Sequence, residues 1–453
     1  MIRHGKTSGS FQRSALLLLL FLIISYAIFQ PVILTADVQV PVDCEEFFFL
    51  NAIWISFSNI TETLYLESPS NFTLGSTINQ TVETLYTKNV VFNSTVSGFE
   101  FNVAKGEGAY AYLVNKVRIC YPRPGWMETL IIKALSNVSY QPTSWSDLPS
   151  EVVNKYVRPQ NPAVVNIVVP QFEAWFQRTY GIPVANASAV GLAAAAAWFI
   201  YMEFIEYDAS AEPRSIEQVV QSRRGDCDDM SRILVEILNY YGIPATIGYG
   251  YVYISDARFS RYVMPVENVT YIFRFNGPHA FTLVYIPGIE WVSVDWLAGS
   301  LWRYPFLFES ESRETAVNES AVEQMLDLHR NINGSQLIAI LSRDEFIDSF
   351  GLELNQESIE DFINRTISGE PLPPSPPVTE NGSDTNTSTI TSSEERFLSE
   401  QESRRAGSEI ISTSTILLLL SITGVAVLTV AYFLRRKTGG YYTRDGLFKY
   451  IMV

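Results

Sequence analysis

A long apolar segment close to the C-terminus sets the first limit on how this chain can fold. Ile411 to Leu434 is a run of 24 residues without a charged side chain. At a helical rise of about 1.5 Å per residue, such a run can cross a hydrocarbon core of roughly 30 Å. A basic triplet at 435–437 follows it, and basic residues favour the cytoplasmic side of a membrane. The sequence therefore predicts a transmembrane helix at 411–434, a cytoplasmic tail at 435–453, and an exterior location for the residues before the helix.

A second apolar run lies near the N-terminus. Residues 15–29 carry no charge and follow a short basic stretch, which is the layout of a secretory signal or of an uncleaved signal anchor. Leu34-Thr35-Ala36 is a poor cleavage site because Leu34 is large. Residues 1–36 are therefore assigned to a signal peptide or signal anchor, and cleavage stays open.

The residues between the two apolar runs fit an exterior, glycosylated protein. The whole chain has a net charge of −16, and both ends are basic, so the middle is strongly acidic and disfavours nucleic acid as a partner. Every triplet of the form N-x-S/T also lies between the two runs. These triplets begin at Asn59, Asn71, Asn79, Asn93, Asn137, Asn186, Asn268, Asn318, Asn333, Asn364, Asn381 and Asn386.

The chain contains only 3 cysteines, and an odd number in an oxidising compartment leaves one thiol to be explained. Cys44 and Cys120 bracket a strand-rich region, so we predict that they form a disulfide. Cys227 is then the free thiol.

The pattern of short β-prone and longer helical runs predicts an α+β protein of several domains. Residues 37–125 form a β-rich N-terminal domain, expected to be a small antiparallel sandwich or barrel. Residues 126–305 begin with helices, including a buried core helix from Ala189, and continue into strands. Residues 306–367 are a helical extension. A stalk at 368–410, rich in Pro, Ser, Thr and Asn, is too polar to fold and leads into the transmembrane helix.

Cys227 lies directly before a helical pattern of apolar residues spaced by three and four, so we expect it on the first turn of a helix. Unpaired backbone N–H groups and the helix dipole favour a thiolate there, which a nucleophilic cysteine needs. A cysteine at a helix start is also commonly a small buried residue without a chemical role. Its neighbours Asp226, Asp228 and Asp229 are interpreted as helix caps rather than a metal site, because no His or Cys ligands accompany them.

Histidine is scarce, with 3 in the whole chain. His4 lies in the targeting segment and His329 in a predicted polar helix, so His279 is the candidate base. His279 opens a predicted hairpin that turns near 287–288 and returns to Asp295. Direct cross-strand neighbours have Cβ atoms about 5 Å apart, so the hairpin places the imidazole close to a carboxylate that can orient it.

Two stretches, RRGDCDDMSRILVEILNYYGIPATIGYGYV and GPHAFTLVYIPGIEWVSVDW, together resemble the transglutaminase-like superfamily. The shared landmarks are a Gly-x-Cys at a helix start, a Gly-Ile-Pro-Ala turn into a strand, a His that begins a strand and an Asp that ends the next one. The resemblance covers roughly residues 189–301. Phe281 stands where such proteins often have Trp, and Trp296 where Pro is common.

The resemblance implies a papain-related α+β fold in which Cys227 attacks a carbonyl, His279 moves the proton and Asp295 holds the histidine. We expect a membrane-anchored, exterior hydrolase of peptide or amide bonds, acting through a thioester on protein or peptide substrates. A cross-linking acyltransferase and a catalytically silent cell-surface binding or scaffold protein remain the alternatives. No cofactor is implied; calcium, used by some cross-linking relatives, lacks a recognisable loop.

Overall fold

The computed structural model of the chain describes residues 40–94, 98–141, 148–209, 213–255, 260–295, 306–351 and 354–370. The chain divides into two compact units, Met1–Leu341 and Ser342–Val453. The predicted signal segment, most of the stalk, the predicted transmembrane helix and the tail lie outside the described residues.

Strands and helices are mixed along the described residues, which confirms an α+β protein with a strand-rich N-terminal region. The strands are β1 (Val42–Ser58), β2 (Glu62–Leu66), β3 (Phe72–Leu74), β4 (Ile78–Lys88), β5 (Val91–Asn93), β6 (Gly98–Val103), β7 (Ala109–Pro122), β8 (Glu206–Tyr207), β9 (Arg224–Gly225), β10 (Ala245–Tyr253), β11 (Tyr262–Val266), β12 (Val269–Arg274), β13 (Asn276–Ile286), β14 (Glu290–Ser293), β15 (Phe306–Ser312) and β16 (Ile332–Ser342). The α-helices are α1 (Pro124–Ser136), α2 (Ser150–Tyr156), α3 (Val169–Tyr180), α4 (Ala189–Trp198), α5 (Ile216–Ser222), α6 (Cys227–Tyr240), α7 (Glu319–Asn331), α8 (Arg343–Phe350) and α9 (Gln356–Ser368).

The largest sheet has seven strands in the order β11-β12-β16-β1-β7-β4-β3. Its centre is the long antiparallel pair of β1 and β7, which runs from Val42 opposite Pro122 to Ile55 opposite Ala109. The aromatic and aliphatic residues of β1 from 47 to 53 are buried, as expected for a strand at the centre of a sheet. Cys44 lies opposite Cys120 in this register and is bonded to it, so the predicted disulfide is confirmed.

The expected self-contained sandwich or barrel of the N-terminal strands is not what forms. Strands β2, β5 and β6 make a separate three-stranded sheet, and β16, from more than two hundred residues further along, lies beside β1. β12 pairs with β16 in parallel. A strand's partner is decided by edge geometry and packing across the whole fold, which a local reading of one region does not contain. The boundary at 125 therefore stays a prediction.

The second main sheet is four-stranded, in the order β14-β13-β10-β15, and helix α6 packs on its two central strands. The apolar residues of α6 that were spaced by three and four are all buried, as predicted: Met230, Ile233, Leu234, Ile237 and Leu238. Helix α6 and strand β13 thus hold the candidate nucleophile and the candidate base on adjoining elements.

The alanine-rich helix α4 is buried along nearly its whole length, which confirms the prediction of a core helix. Gly191 allows this burial, since a Cβ there would lie 2.1 Å from the carbonyl oxygen of Val138. A π-helical turn, Phe199–Phe204, continues the helix. None of the helices in the described ranges combines enough length with enough apolar character to span a bilayer.

The range predicted as a helical extension, 306–367, also contains strand β15 and, further along, strand β16, neither of which was predicted. Residues 336–341 of β16 are a short continuous buried run, and a run of that kind fits a buried strand or a buried helix equally well by periodicity. Helix α7 precedes β16. In the second unit, helices α8 and α9 contact each other through Phe346, Phe350 and Phe362.

Candidate active site

Cys227 is the first residue of helix α6, as the sequence predicted, and its side chain is partly exposed. The preceding helix, α5, ends shortly before Cys227, where its C-cap residue Arg223 adopts a left-handed φ of 56°. Asp226 is the N-cap of α6, and its backbone N–H donates to Oδ2 of Asp229 at 3.2 Å. The thiol therefore lies where unpaired N–H groups of the first turn point outward and favour negative charge.

The aspartates beside the thiol are compensated by two arginines that the sequence reading missed. Arg232 binds Asp228 at 2.8 Å and also binds Asp229, and Arg214 binds Asp229 at 3.0 Å. The signal for the first pair was present, because Asp228 and Arg232 are four residues apart on one helix. Oxygens of Asp226, Asp228 and Asp229 lie within 4.8 Å of one another, close enough to share an ion. Guanidinium groups already bind two of these carboxylates, so ion pairs are present in addition to the helix caps that the sequence indicated.

His279 and Asp295 meet as the hairpin predicted, with Nε2 of His279 at 2.5 Å from Oδ2 of Asp295. The register differs from the expected one. Ile286 pairs with Glu290 and Leu283 with Ser293, so the reversal is centred on Gly288, whose φ is 71°. This register carries Asp295 to the level of residue 281, two residues from the histidine. The contact is thus diagonal, and it forms because both side chains are long enough to bridge neighbouring positions.

The side chains of Cys227 and His279 lie within interaction range, since each shifts the pKa of the other. Because Nε2 of the imidazole faces Asp295, Nδ1 is the nitrogen left for the thiol. The structure therefore brings all three predicted site residues together in the order thiol, imidazole, carboxylate. Whether they act as a catalytic triad stays a prediction.

The protonation of the pair is set by two opposing effects. Burial by itself lowers the pKa of His279, but the charge and hydrogen bond of Asp295, with a smaller contribution from Cys227, raise that pKa to about 10. Burial raises the pKa of the Cys227 thiol, while the hydrogen bond and charge of His279 work to lower it. Asp295 therefore favours the proton on the imidazole, and burial is what resists the thiolate.

A buried polar cluster that the sequence did not reveal lies behind these residues. The hydroxyl of Tyr201 is 3.3 Å from Oγ of Ser231, which donates to the carbonyl of Ala280 at 3.3 Å. Thr282 donates to the carbonyl of Ser231, and its own carbonyl accepts from the N–H of Val294. The cluster thus ties helix α6 and both strands of the hairpin together. Tyr201 is in the π-helical turn, a distortion that often occurs at functional sites and that periodicity does not predict.

Tyr207 is a second tyrosine beside the thiol. In β8 it pairs with Gly225 of β9, two residues before Cys227. Burial, followed by the charges of Cys227 and Asp226, raises the pKa of its phenol above the ordinary value, so the hydroxyl keeps its proton. A protonated phenol near the nucleophile can donate a hydrogen bond to a group bound there.

Comparison with known proteins supports the same core. Residues 181–296 match the family model described as the transglutaminase-like superfamily, so this part of the chain carries a transglutaminase-like core and the resemblance is confirmed. No curated protein matches the chain.

Two solved structures are similar. One is described as a candidate cysteine protease from Cytophaga hutchinsonii; the match has 13% identity and a TM-score of 0.37, and it covers 67% of this chain and 93% of that one. The other is the periplasmic domain of TgpA from Pseudomonas aeruginosa bound to ethylmercury, with 12% identity, a TM-score of 0.24, and coverage of 56% and 90%.

Proposed function

We propose that the transglutaminase-like core of this chain hydrolyses peptide or amide bonds through a thioester on Cys227. The observation that carries the proposal is a set of three side chains: a partly exposed thiol next to an imidazole, which is hydrogen-bonded to a buried carboxylate. Nucleophilic catalysis by cysteine requires this order of groups. Because the other two cysteines are joined to each other, Cys227 is the one free thiol of the chain.

The reaction has two halves. Sγ of Cys227 forms a bond to the substrate carbonyl carbon as its proton passes to His279, and His279 then gives that proton to the amine nitrogen as the C–N bond breaks. A water molecule next attacks the thioester, losing a proton to His279. The C–S bond breaks, the carboxylic acid leaves, and the proton returns to sulfur. Asp295 stabilises the imidazolium that is present in both halves.

The negative oxygen that forms in each half needs donors. The backbone N–H of Cys227 is in the first turn of α6, where no intrahelical acceptor is available to it. The phenol of Tyr207 is the side chain we assign as the second donor, because its strand pairing puts it beside the thiol and its raised pKa keeps it protonated.

An exterior, membrane-anchored location is part of the proposal. It is supported by the two apolar segments, the acidic middle of the chain and the sequons. Ten sequon asparagines lie in the described residues, and the side chains of nine are exposed, while Asn93 is half-buried. Protein or peptide substrates would then be met outside the cell, and the C-terminal helix would contact membrane lipid.

The test begins with the full chain and its Cys227→Ala variant incubated with an unbiased peptide library, with products identified by mass spectrometry. We expect new termini with the wild-type chain and none with the variant. Adding a primary amine separates the two enzymatic outcomes, because a product joined to the amine marks an acyltransferase and a free acid marks a hydrolase.

Alkylation by iodoacetamide across pH provides a second readout that needs no substrate. A thiol coupled to His279 should react in the folded chain with a pH dependence that changes when His279 is replaced by Gln. A thiol that reacts only after unfolding would contradict an enzymatic role and favour the alternative of a cell-surface binding or scaffold protein.

A further inference from the structure

The imidazole of His279 is bound at its edge by Asp295 and has Cys227 close by, but neither contact restrains the ring from above or below. Rotation about the Cβ–Cγ bond would carry both nitrogens out of line with these partners, because a hydrogen bond requires its partner to lie near the ring plane. Contacts on the face of the ring would restrain that rotation.

Two phenylalanines supply contacts to that face. The ring of Phe306 lies 5.6 Å from the imidazole at an interplanar angle of 18°, and the ring of Phe281 lies 6.1 Å away at 23°. The two phenyl rings are 4.3 Å apart, and both side chains are almost completely buried. The histidine ring is therefore nearly parallel to each phenyl ring, while the two phenyl rings are tilted by 31° to each other. We call this cluster of three rings from β13 and β15 the stack.

The backbone of β10 is shaped to admit this stack. Gly248 lies opposite Phe281 in the β10–β13 register. A Cβ at Gly248 would lie 2.7 Å from Cζ and 2.8 Å from Cε2 of the Phe281 ring. The ring thus occupies the space that any other residue at 248 would fill.

We propose that Phe281 and Phe306 are positioning residues that fix the plane of the His279 ring, so that its two nitrogens stay directed at Cys227 and Asp295. The inference rests on the proposed function, since the geometry matters only if the imidazole transfers protons. Neither phenylalanine touches the reacting atoms, and both act through His279.

The stack also bears on charge. A cation within about 6 Å of an aromatic ring centroid is stabilised by the ring quadrupole. Phe306, whose centroid lies 5.6 Å from the imidazole, therefore favours the imidazolium that Asp295 already favours, and Phe281 packs against Phe306. Replacing either phenylalanine by leucine keeps an apolar side chain in the core but removes the aromatic face. The expected result is a lower pKa of His279 and a less ordered ring.

Phe308 distinguishes this role from ordinary core packing. It is on the same strand as Phe306, is fully buried, and contacts Phe281 edge-on at 5.4 Å, but its stacking partner is Phe72 and not the histidine. Phe308→Leu therefore removes a comparable volume from the same core without removing a ring that stacks on His279. It serves as the matched control.

The experiment follows the chemical shifts of the 3 histidines across pH in the full chain, assigned by replacing His279 and His329 in turn. We expect Phe281→Leu and Phe306→Leu to lower the pKa of His279 by about 0.5–1 unit. Phe308→Leu should change that pKa by less than about 0.2 unit. Cys227 alkylation at pH 7 should slow about 3- to 10-fold in the first two variants only. Equal effects in all three variants, or a rise in the pKa, would overturn the proposal.

A second pair of variants tests the stack without removing a ring. Gly248→Ala forces the Phe281 ring to move, whereas Gly277→Ala adds a methyl group that meets nothing within 4 Å. We expect the lower His279 pKa and slower alkylation with the first and neither change with the second. If alkylation of the wild-type Cys227 shows no pH dependence linked to His279, the proposed function is overturned as well. If that dependence is present in the wild type but Gly248→Ala changes neither the His279 pKa nor the alkylation rate, only the positioning role of the phenylalanines is overturned.

Discussion

Two buried histidines of this chain show how the partner of an imidazole decides what it can do. His279 faces a carboxylate at one nitrogen and a thiol at the other. His329, on α7, has Nδ1 at 2.6 Å from the carbonyl oxygen of Met325 and Nε2 at 2.7 Å from the hydroxyl of Tyr271. Because a carbonyl only accepts, Nδ1 of His329 carries the proton and Nε2 accepts from the phenol, so a neutral ring satisfies both partners.

The difference teaches that burial and hydrogen bonding alone do not make a histidine chemically active. Both rings are largely buried, and each makes a hydrogen bond through Nε2. Only His279 has a charged partner that favours its protonated form and a nucleophile on the other side. The three cysteines show the same contrast: Cys44 and Cys120 are joined in a cross-strand bond, and Cys227 is free beside the base.

The largest expected effect is from replacing the histidines themselves. His279→Gln should reduce kcat/KM on the substrate found in the library screen by about 10³-fold or more, because it removes the proton carrier of both halves of the reaction. His329→Gln should keep activity within about threefold of wild type, since its ring contacts only neutral groups. An equal loss in both variants, measured at matched folded fractions, would break the comparison.

Asp295→Asn should reduce kcat by about 10²- to 10⁴-fold, since the amide removes the negative charge and can orient the wrong tautomer. The pKa of His279 should fall from about 10 toward its usual 6.5. Chemical shifts of the ring across pH measure this change, with His329 as the internal reference. A His279 pKa that does not fall in Asp295→Asn would show that the carboxylate is not what holds the proton.

The same pKa has a consequence for stability. The folded pKa of His279, about 10, is above the ordinary value of 6.5 that applies to the unfolded chain. The stabilising contribution is therefore fully present below about pH 6.5 and is lost as pH rises through 10. Denaturation midpoints between pH 6 and 10 should decline more steeply for wild type than for His279→Gln, and parallel curves would contradict the assignment.

The disulfide should affect stability and leave the chemistry alone. The bond closes a loop of 76 residues, and the chain-entropy model gives about 4–5 kcal/mol for such a loop. The double variant Cys44→Ala with Cys120→Ala should lose roughly that amount of unfolding free energy in urea. At temperatures where it remains folded, its Cys227 alkylation profile should match wild type. A changed profile would show that the two regions are coupled.

A half-buried carboxyl sharpens the comparison further, because Glu309 faces a like charge whereas Asp295 faces an imidazole. Burial first, and then the like charge of Glu67, raise the pKa of Glu309 to about 8. Since this is above the ordinary 4.5, the folded chain binds more protons between pH 4.5 and 8, and stability falls as pH rises through that window. Glu309→Gln should raise the melting temperature at pH 8 by about 2–4 °C and have little effect at pH 5. A lower melting temperature at pH 8 would contradict this.

The smallest expected effect is from Tyr201→Phe, which removes one buried hydroxyl from the cluster behind the site. A single hydrogen bond is worth about 1 kcal/mol, so kcat should fall about 3- to 10-fold with KM unchanged. Ser231→Ala removes the partner atom and should give a similar result, with no further loss in the double variant. Additive losses would show that the two hydroxyls act separately.

The site was more accessible to sequence reasoning than the surrounding fold. The order of a helix-start cysteine, a strand-start histidine and a strand-end aspartate depends on local patterns, and these patterns placed Cys227, His279 and Asp295 correctly to within two residues of register. The arginines that compensate Asp228 and Asp229, and the tyrosines at 201 and 207, were missed. Arg214 and Tyr201 are distant in sequence from the groups they contact, and a π-helical turn directs Tyr201 inward.

The amino-acid sequence by itself determined the elements and the chemistry available to them. These are the periodicity that makes 227–240 a helix, the turn near 287–288 that makes a hairpin of 279–295, and the single thiol left over from a disulfide. Only the tertiary structure decided which strands share a sheet, so that β16 lies beside β1, and which charges and rings surround the imidazole. The physical reason is the distance along the chain over which each kind of interaction acts. Backbone preference and periodicity act over a few residues, whereas hydrogen-bonded edges, ion pairs and stacked rings join residues that the chain brings together only on folding.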